Sequence, residues 1–128
     1  MRKTFAKDVL FSVPILSLAF IGDGVHTLFV REKSFVPTNK NNELHTLSSH
    51  FCCAKAQAET AKRIENSLTE DERFIYKKGK NATVGSVPKN ADLMTYKLAT
   101  AFESLVGYLY LSGNDKRLEE ILEESIKE

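Results

Sequence analysis

The chain has 128 residues, 42% of them hydrophobic and 27% charged, with a formal net charge of +1. This is enough for one domain with a real core and too little for two, and the balanced charge by itself argues neither for nor against a polyanionic partner. The two cysteines, Cys52 and Cys53, are adjacent, a spacing that excludes a disulfide framework or a zinc knuckle and fits a reducing, cytoplasmic setting.

In chain order the pattern is all-helical, with long apolar segments recurring at helical spacing and no alternating strand runs. A short first helix is predicted over about Thr4–Ser12. Arg2, Lys3 and Lys7 followed by Val9–Ile21 mimic a secretory signal, but Asp8 and Pro14 break it and no small-x-small cleavage site follows. The apolar run is also too short and interrupted to span a membrane. By way of Pro14 the chain enters the apolar run Val13–Phe29 (VPILSLAFIGDGVHTLF), a helix that reads as buried on nearly every side and should end near Lys33. Ser34–Glu43 is a polar loop, Leu44–Asn66 one long amphipathic helix, and Thr69 the cap of a helix carrying Phe74 and Ile75. That helix fades into Lys77–Asn90, expected to be a basic, glycine-punctuated loop. Asp92 caps a second apolar helix containing Leu98–Leu111 (LATAFESLVGYLYL), and Arg117–Lys127 forms a last amphipathic helix.

Charge is unevenly spread. From Tyr76 to Lys97 five lysines face one acid, Asp92, whereas from Asp115 onward six acids face three bases. A basic middle segment turned to a partner and an acidic, solvated tail is the simplest picture.

Two carboxylates stand out because each interrupts an apolar helix: Asp23 and Glu103. An acid expected in the interior must find a cation, a donor network or a metal to stay ionised. Gly22 and Gly24 flank Asp23, and Gly107 lies one turn after Glu103. Glycine costs roughly 1 kcal/mol inside a helix, so these positions suggest close approach by another backbone or a ligand. Two carboxylates on different helices, a basic loop and no nucleophilic pairing suit a hard divalent cation such as Mg²⁺, which takes oxygen ligands and keeps several waters. Two buried acids satisfied by Lys, Arg or backbone donors would give the same pattern. The loop supplies ammonium groups and backbone amides for phosphates; an ordinary solvated loop would look alike. It lacks interleaved aromatics, which favours duplex backbone over stacked single strands. His26 is open to two readings, a donor behind the site or a structural core residue. Lys55 and Gln57 read as exposed, and His45 and His50 are five apart, off the spacing for two ligands on one helix face.

These blocks resemble a known family. LAFIGDGVHTLFVRE (Leu18–Glu32) and TAFESLVGYLYL (Thr100–Leu111) resemble the two catalytic helices of the ribonuclease III fold. HTLSSHFCCAKAQAE (His45–Glu59) and KKGKNATVGSVPKNADLMTYKLATAFE (Lys77–Glu103) are similar to blocks of its Mini-ribonuclease III branch. The resemblance covers about 15 to 111 and implies an all-α homodimer that cuts double-stranded RNA with Mg²⁺. It further implies a single catalytic domain, 1–128, without a double-stranded-RNA-binding domain. The implied substrate is the large-subunit (23S) ribosomal RNA precursor, with an accessory ribosomal protein as a further partner. Carried over residue by residue, Asp23 and Glu103 are the catalytic and metal-binding acids, and Lys77, Lys78, Lys80, Asn81, Lys89 and Asn90 belong to the substrate-contacting segment. Full-length ribonuclease III has two more acids, at the places of Ala19 and Thr100 here. Asp92 cannot replace the missing one, since eleven residues of helix separate it from Glu103 by about 16 Å. The thinned acid set leaves a second hypothesis, a non-catalytic RNA- or ribosome-binding protein that keeps the fold.

Overall fold

The computed structural model describes residues 2–82 and 92–127. Among these residues seven α-helices run α1 Lys7–Ser12, α2 Ile15–Ser34, α3 Asn41–Cys52, α4 Ala54–Ile64, α5 Glu70–Lys80, α6 Leu93–Leu111 and α7 Asp115–Glu124, with a 3₁₀ turn at Glu65–Ser67.

The centre of the fold is α6. It is apolar on most sides, and eleven of its nineteen residues are buried, among them Phe102, Leu105, Val106 and Leu109. Helices α2, α4, α5 and α7 pack around it, as so apolar a helix requires. Asp92 caps it, accepting from the Thr95 amide at 3.3 Å and the Thr95 hydroxyl at 3.0 Å. Gly113, at φ 77°, turns the chain out of α6, and the Asn114 side chain then accepts from Arg117 N–H to open α7. A left-handed residue favours glycine because it carries no Cβ.

Helix α5 starts on a reciprocal capping box. Glu72 N–H donates to Thr69 Oγ1 at 3.2 Å, and Thr69 N–H donates to Glu72 Oε1 at 3.0 Å. Its acids fill the first turn and Lys77, Lys78 and Lys80 the last, the arrangement that complements the helix dipole. The three lysines are therefore helical, not part of a loop as their glycine and charge suggested. The loop expectation for 83–91, with Lys89 and Asn90, lies outside the described residues.

Two further expectations are corrected. The helix read over Leu44–Asn66 is two helices, broken at Cys53, whose φ −69° and ψ 158° are extended. No Pro or Gly marks the break. It arises because α3 packs on α2 whereas α4 turns to lie against α6. Nor is α2 buried on every side. Ile15, Leu18, Ala19, Gly22, His26 and Val30 form one inward stripe, while Leu16, Phe20 and Leu28 are exposed. No described helix is long and apolar enough to cross a membrane.

Candidate active site

The site stands where α2 crosses α6 with almost nothing between the backbones. A methyl group at Gly22 would overlap the Glu103 carbonyl oxygen and come within 2.7 Å of its carbon and 2.9 Å of Gly107 N. A methyl at Gly107 would likewise overlap the Leu18 carbonyl oxygen. The glycines that interrupt the apolar runs thus serve backbone-to-backbone packing, as their cost implied. Gly24 differs: nothing lies within 4 Å of its would-be Cβ. On the far side of α6, Gly79 lets α5 approach Ser104, where a Cβ would fall 2.6 Å from Oγ.

This crossing brings Asp23 and Glu103 together. Asp23 is exposed on the flank of α2, not interior, and Glu103 is half-buried. Their side chains are within hydrogen-bonding reach, the neutral Glu103 carboxyl donating to the Asp23 carboxylate. Burial first, then this bond and the Asp23 charge, push the Glu103 carboxyl up to about 8, whereas a hydrogen bond from Gln57 favours its ionised form. Ala19 and Thr100, the places of the missing acids, are buried, and Thr100 Oγ1 donates to the Tyr96 carbonyl at 3.0 Å.

Gln57 is the residue that sequence reasoning missed. It is buried on α4 and not exposed as expected. Its position was legible: with Ala58, Ala61 and Ile64 it falls on the inward stripe of that helix, a polar residue among apolar ones. Its Nε2 lies 3.1 Å from His26 Nδ1. His26 is fully buried, edge-on to Phe102 with ring centroids 4.9 Å apart, and burial lowers its pKa to about 4 against the opposing Asp23 charge.

The donor set fits a hard divalent cation. Two carboxylates from different helices crowd each other, one of them reluctant to ionise alone, and a cation between such oxygens offsets both the repulsion and the desolvation. Among the described residues no group of three or more His, Cys, Asp and Glu side chains converges. The protein would thus supply two oxygen ligands and leave the remaining coordination to water and substrate, as Mg²⁺ tolerates.

The basic segment is less uniform than its sequence. Lys77 and Asn81 are exposed and Lys80 is half-buried. Lys78 turns inward: its Nζ donates to the Phe11 carbonyl at 3.1 Å and lies over the Phe74 ring.

A helical core crossed by a carboxylate-bearing helix pair is the frame of a ribonuclease III domain, and a family model of that description matches residues 16–114. A Mini-ribonuclease 3 from Thermoanaerobacter is 43% identical over 122 residues, covering 94% of this chain and 86% of that protein. The Mini-ribonuclease 3 from Brevibacillus brevis is 43% identical over 128 residues, covering 97% and 92%. The crystal structure of a Fusobacterium nucleatum protein superposes with TM-score 0.82 at 29% identity, covering 88% of this chain and 90% of that one. The chain belongs to the ribonuclease III family, on its Mini-ribonuclease 3 branch, and is an endoribonuclease of that type.

Proposed function

We propose that residues 1–128 act as one catalytic domain that hydrolyses phosphodiesters in double-stranded RNA, with Asp23 and Glu103 as catalytic and Mg²⁺-binding residues. The observation that carries this reading is the carboxylate pair itself, presented by α2 and α6 across a contact that admits no side chain. When bound, a hard cation there neutralises phosphate charge and acidifies a water. The protein's own part is positional. Gly22 and Gly107 fix the separation of the two helices, Asp23 stays open to solvent and substrate, and Glu103 is anchored from behind by Gln57. Lys77, Lys80 and Asn81 present charge and donors suited to an RNA backbone, and Lys89 and Asn90 continue that segment in sequence. Lys78 supports it less directly, since its ammonium is engaged by Phe11.

The finer reading is a cytoplasmic homodimer that matures the ends of the large-subunit (23S) ribosomal RNA precursor, aided by a ribosomal protein. Dimerisation is favoured by the apolar face of α2, where Phe20 is 78% exposed. Asp23→Asn tests the catalytic assignment, because it keeps shape and hydrogen bonding but removes the charge that a hard cation needs. On a long RNA duplex the variant should lose cleavage in Mg²⁺ while retaining wild-type helix content. Turnover like that of the wild type would remove Asp23 from the site. A wild-type protein that binds duplex equally with Mg²⁺ or chelator and never cuts it would instead establish the non-catalytic alternative.

A further inference from the structure

His26 carries a polar atom with no evident purpose. The ring is fully buried, and its Nε2 has no hydrogen-bond partner among the described residues. A phenylalanine would fill the same space beside Phe102 without stranding a polar group. What the imidazole adds is Nδ1, 3.1 Å from Gln57 Nε2.

With the amide nitrogen facing Nδ1, the direction of that contact is fixed. The nitrogen of a carboxamide has no lone pair to offer, so it donates, and Nδ1 must be unprotonated. The imidazole is then neutral with its proton on Nε2, the state that burial favours. The Gln57 side chain also reaches Glu103, in a hydrogen bond that favours the ionised carboxylate and so calls for a donor. A proton on Nδ1 would require the amide to turn over, and its carbonyl oxygen could not donate to the ionised Glu103 carboxylate that a cation requires. His26, one turn beyond Gly22 on α2, therefore dictates which end of Gln57 faces the site.

We infer that Gln57, its amide locked by the Nδ1 atom of His26, is a positioning residue that holds Glu103 in the orientation needed to bind a divalent cation. This rests on the proposed metal site and extends it from two residues to a relay of four, Asp23–Glu103–Gln57–His26, drawn from three helices. Donors behind a metal-binding carboxylate fix its rotamer, and their loss typically weakens metal binding by 10–100-fold.

The test is Mn²⁺ binding to the full chain without RNA, followed by the electron paramagnetic resonance signal of free Mn²⁺, with thermal melts to establish folding. Asp23→Asn and Glu103→Gln serve as references. Gln57→Leu should weaken binding roughly tenfold or more. His26→Phe should weaken it in the same direction, whereas His26→Asn, whose Oδ1 replaces Nδ1 as acceptor, should stay within about twofold of wild type. In a Gln57→Leu background, His26→Phe should add nothing, because its effect runs through the amide. Should His26→Phe not fold, His26→Leu against His26→Asn gives the same contrast. Equal weakening by the Asn and Phe variants, or an undiminished His26→Phe effect without Gln57, would reduce His26 to a packing residue and overturn the relay. Wild-type binding by Gln57→Leu would overturn it too. Mn²⁺ binding indifferent to both Asp23→Asn and Glu103→Gln would instead remove the metal site, and the relay with it.

Discussion

Glu103 sits where ionisation is disfavoured, and this sets a pH dependence with a definite sign. Its carboxyl holds a proton up to about 8 in the folded, metal-free protein, far above the value of about 4.3 expected in an unfolded chain. Folding therefore binds this proton more tightly, so the group's contribution to stability is complete below the unfolded pKa and is lost as pH rises towards 8. A cation must displace the same proton. Mg²⁺ affinity should accordingly climb with pH, by up to about tenfold per unit below 8, and level off above it. Titrating Mg²⁺ by calorimetry across that range checks the slope; a flat affinity from about pH 6 to 8 would contradict it. Glu103→Gln should abolish Mg²⁺-dependent cleavage yet raise the melting temperature in chelator at pH 8, because it removes a charge that the site resists. Residue-scale features of this kind were half legible. The acid-in-apolar-run pattern singled out Asp23 and Glu103. It also placed both in the interior, whereas Asp23 projects from the flank of a helix buried on one stripe.

Between elements, the α2–α6 contact couples stability to the site. Gly22→Ala would drive a methyl into the Glu103 carbonyl, which belongs to a backbone and cannot swing aside. The helices must separate, so we expect a loss of about 1–3 kcal/mol together with a large fall in cleavage as Asp23 moves from Glu103. Gly24→Ala meets nothing and should keep full stability or gain up to about 1 kcal/mol of helix propensity. Comparative denaturant melts distinguish the two; equal behaviour would refute the contact. A second tie joins α5 to α7. Glu72, buried within its capping box, receives Arg117 Nε at 2.9 Å and Nη2 at 3.0 Å, and Arg117 Nη2 also donates to the Ser67 carbonyl at 3.0 Å. This pairing, foremost among its causes, raises the Arg117 pKa further. Arg117→Leu strands the Glu72 carboxylate. Because the guanidinium is partly solvated, the expected cost is about 2–3 kcal/mol, somewhat below that of a fully buried pair. Denaturant titration measures it, and a cost near zero would mean that water replaces the guanidinium freely. The capping box that seats Glu72 was visible at Thr69–Glu72, and the two long apolar helices in their periodicity. The break at Cys53 was not, because it follows from what α3 and α4 pack against and no local residue signals it. Lys77–Lys80 misled in the opposite sense: Gly79 reads as a loop former but serves a helix–helix contact.

For the whole molecule, one row of exposed apolar residues runs along α2. Leu16, Phe20 and Leu28 follow one another at four- and eight-residue intervals on the outer face, exposed by 43, 78 and 59%. A large aromatic with most of its surface in water is a poor final state, since burial yields roughly 25 cal/mol per Å². A second copy meeting the same face about a two-fold axis would bury it isologously. Gly24 lies among these residues with no neighbour of its own, leaving room for close approach, whereas Gly22 is committed inward to α6 and cannot also serve the axis. Asp23 borders this face, so a two-fold contact there would set two carboxylate sites side by side, one for each strand of a duplex. Phe20→Asp should therefore yield a folded monomer by equilibrium sedimentation at micromolar concentration. Its intramolecular packing should barely change, because Phe20 contributes little to the core, and it should make none of the paired, staggered cuts expected of a dimer. A variant that remains dimeric, or a monomer that still cuts both strands together, would show that the apolar face of α2 is not what joins the two sites.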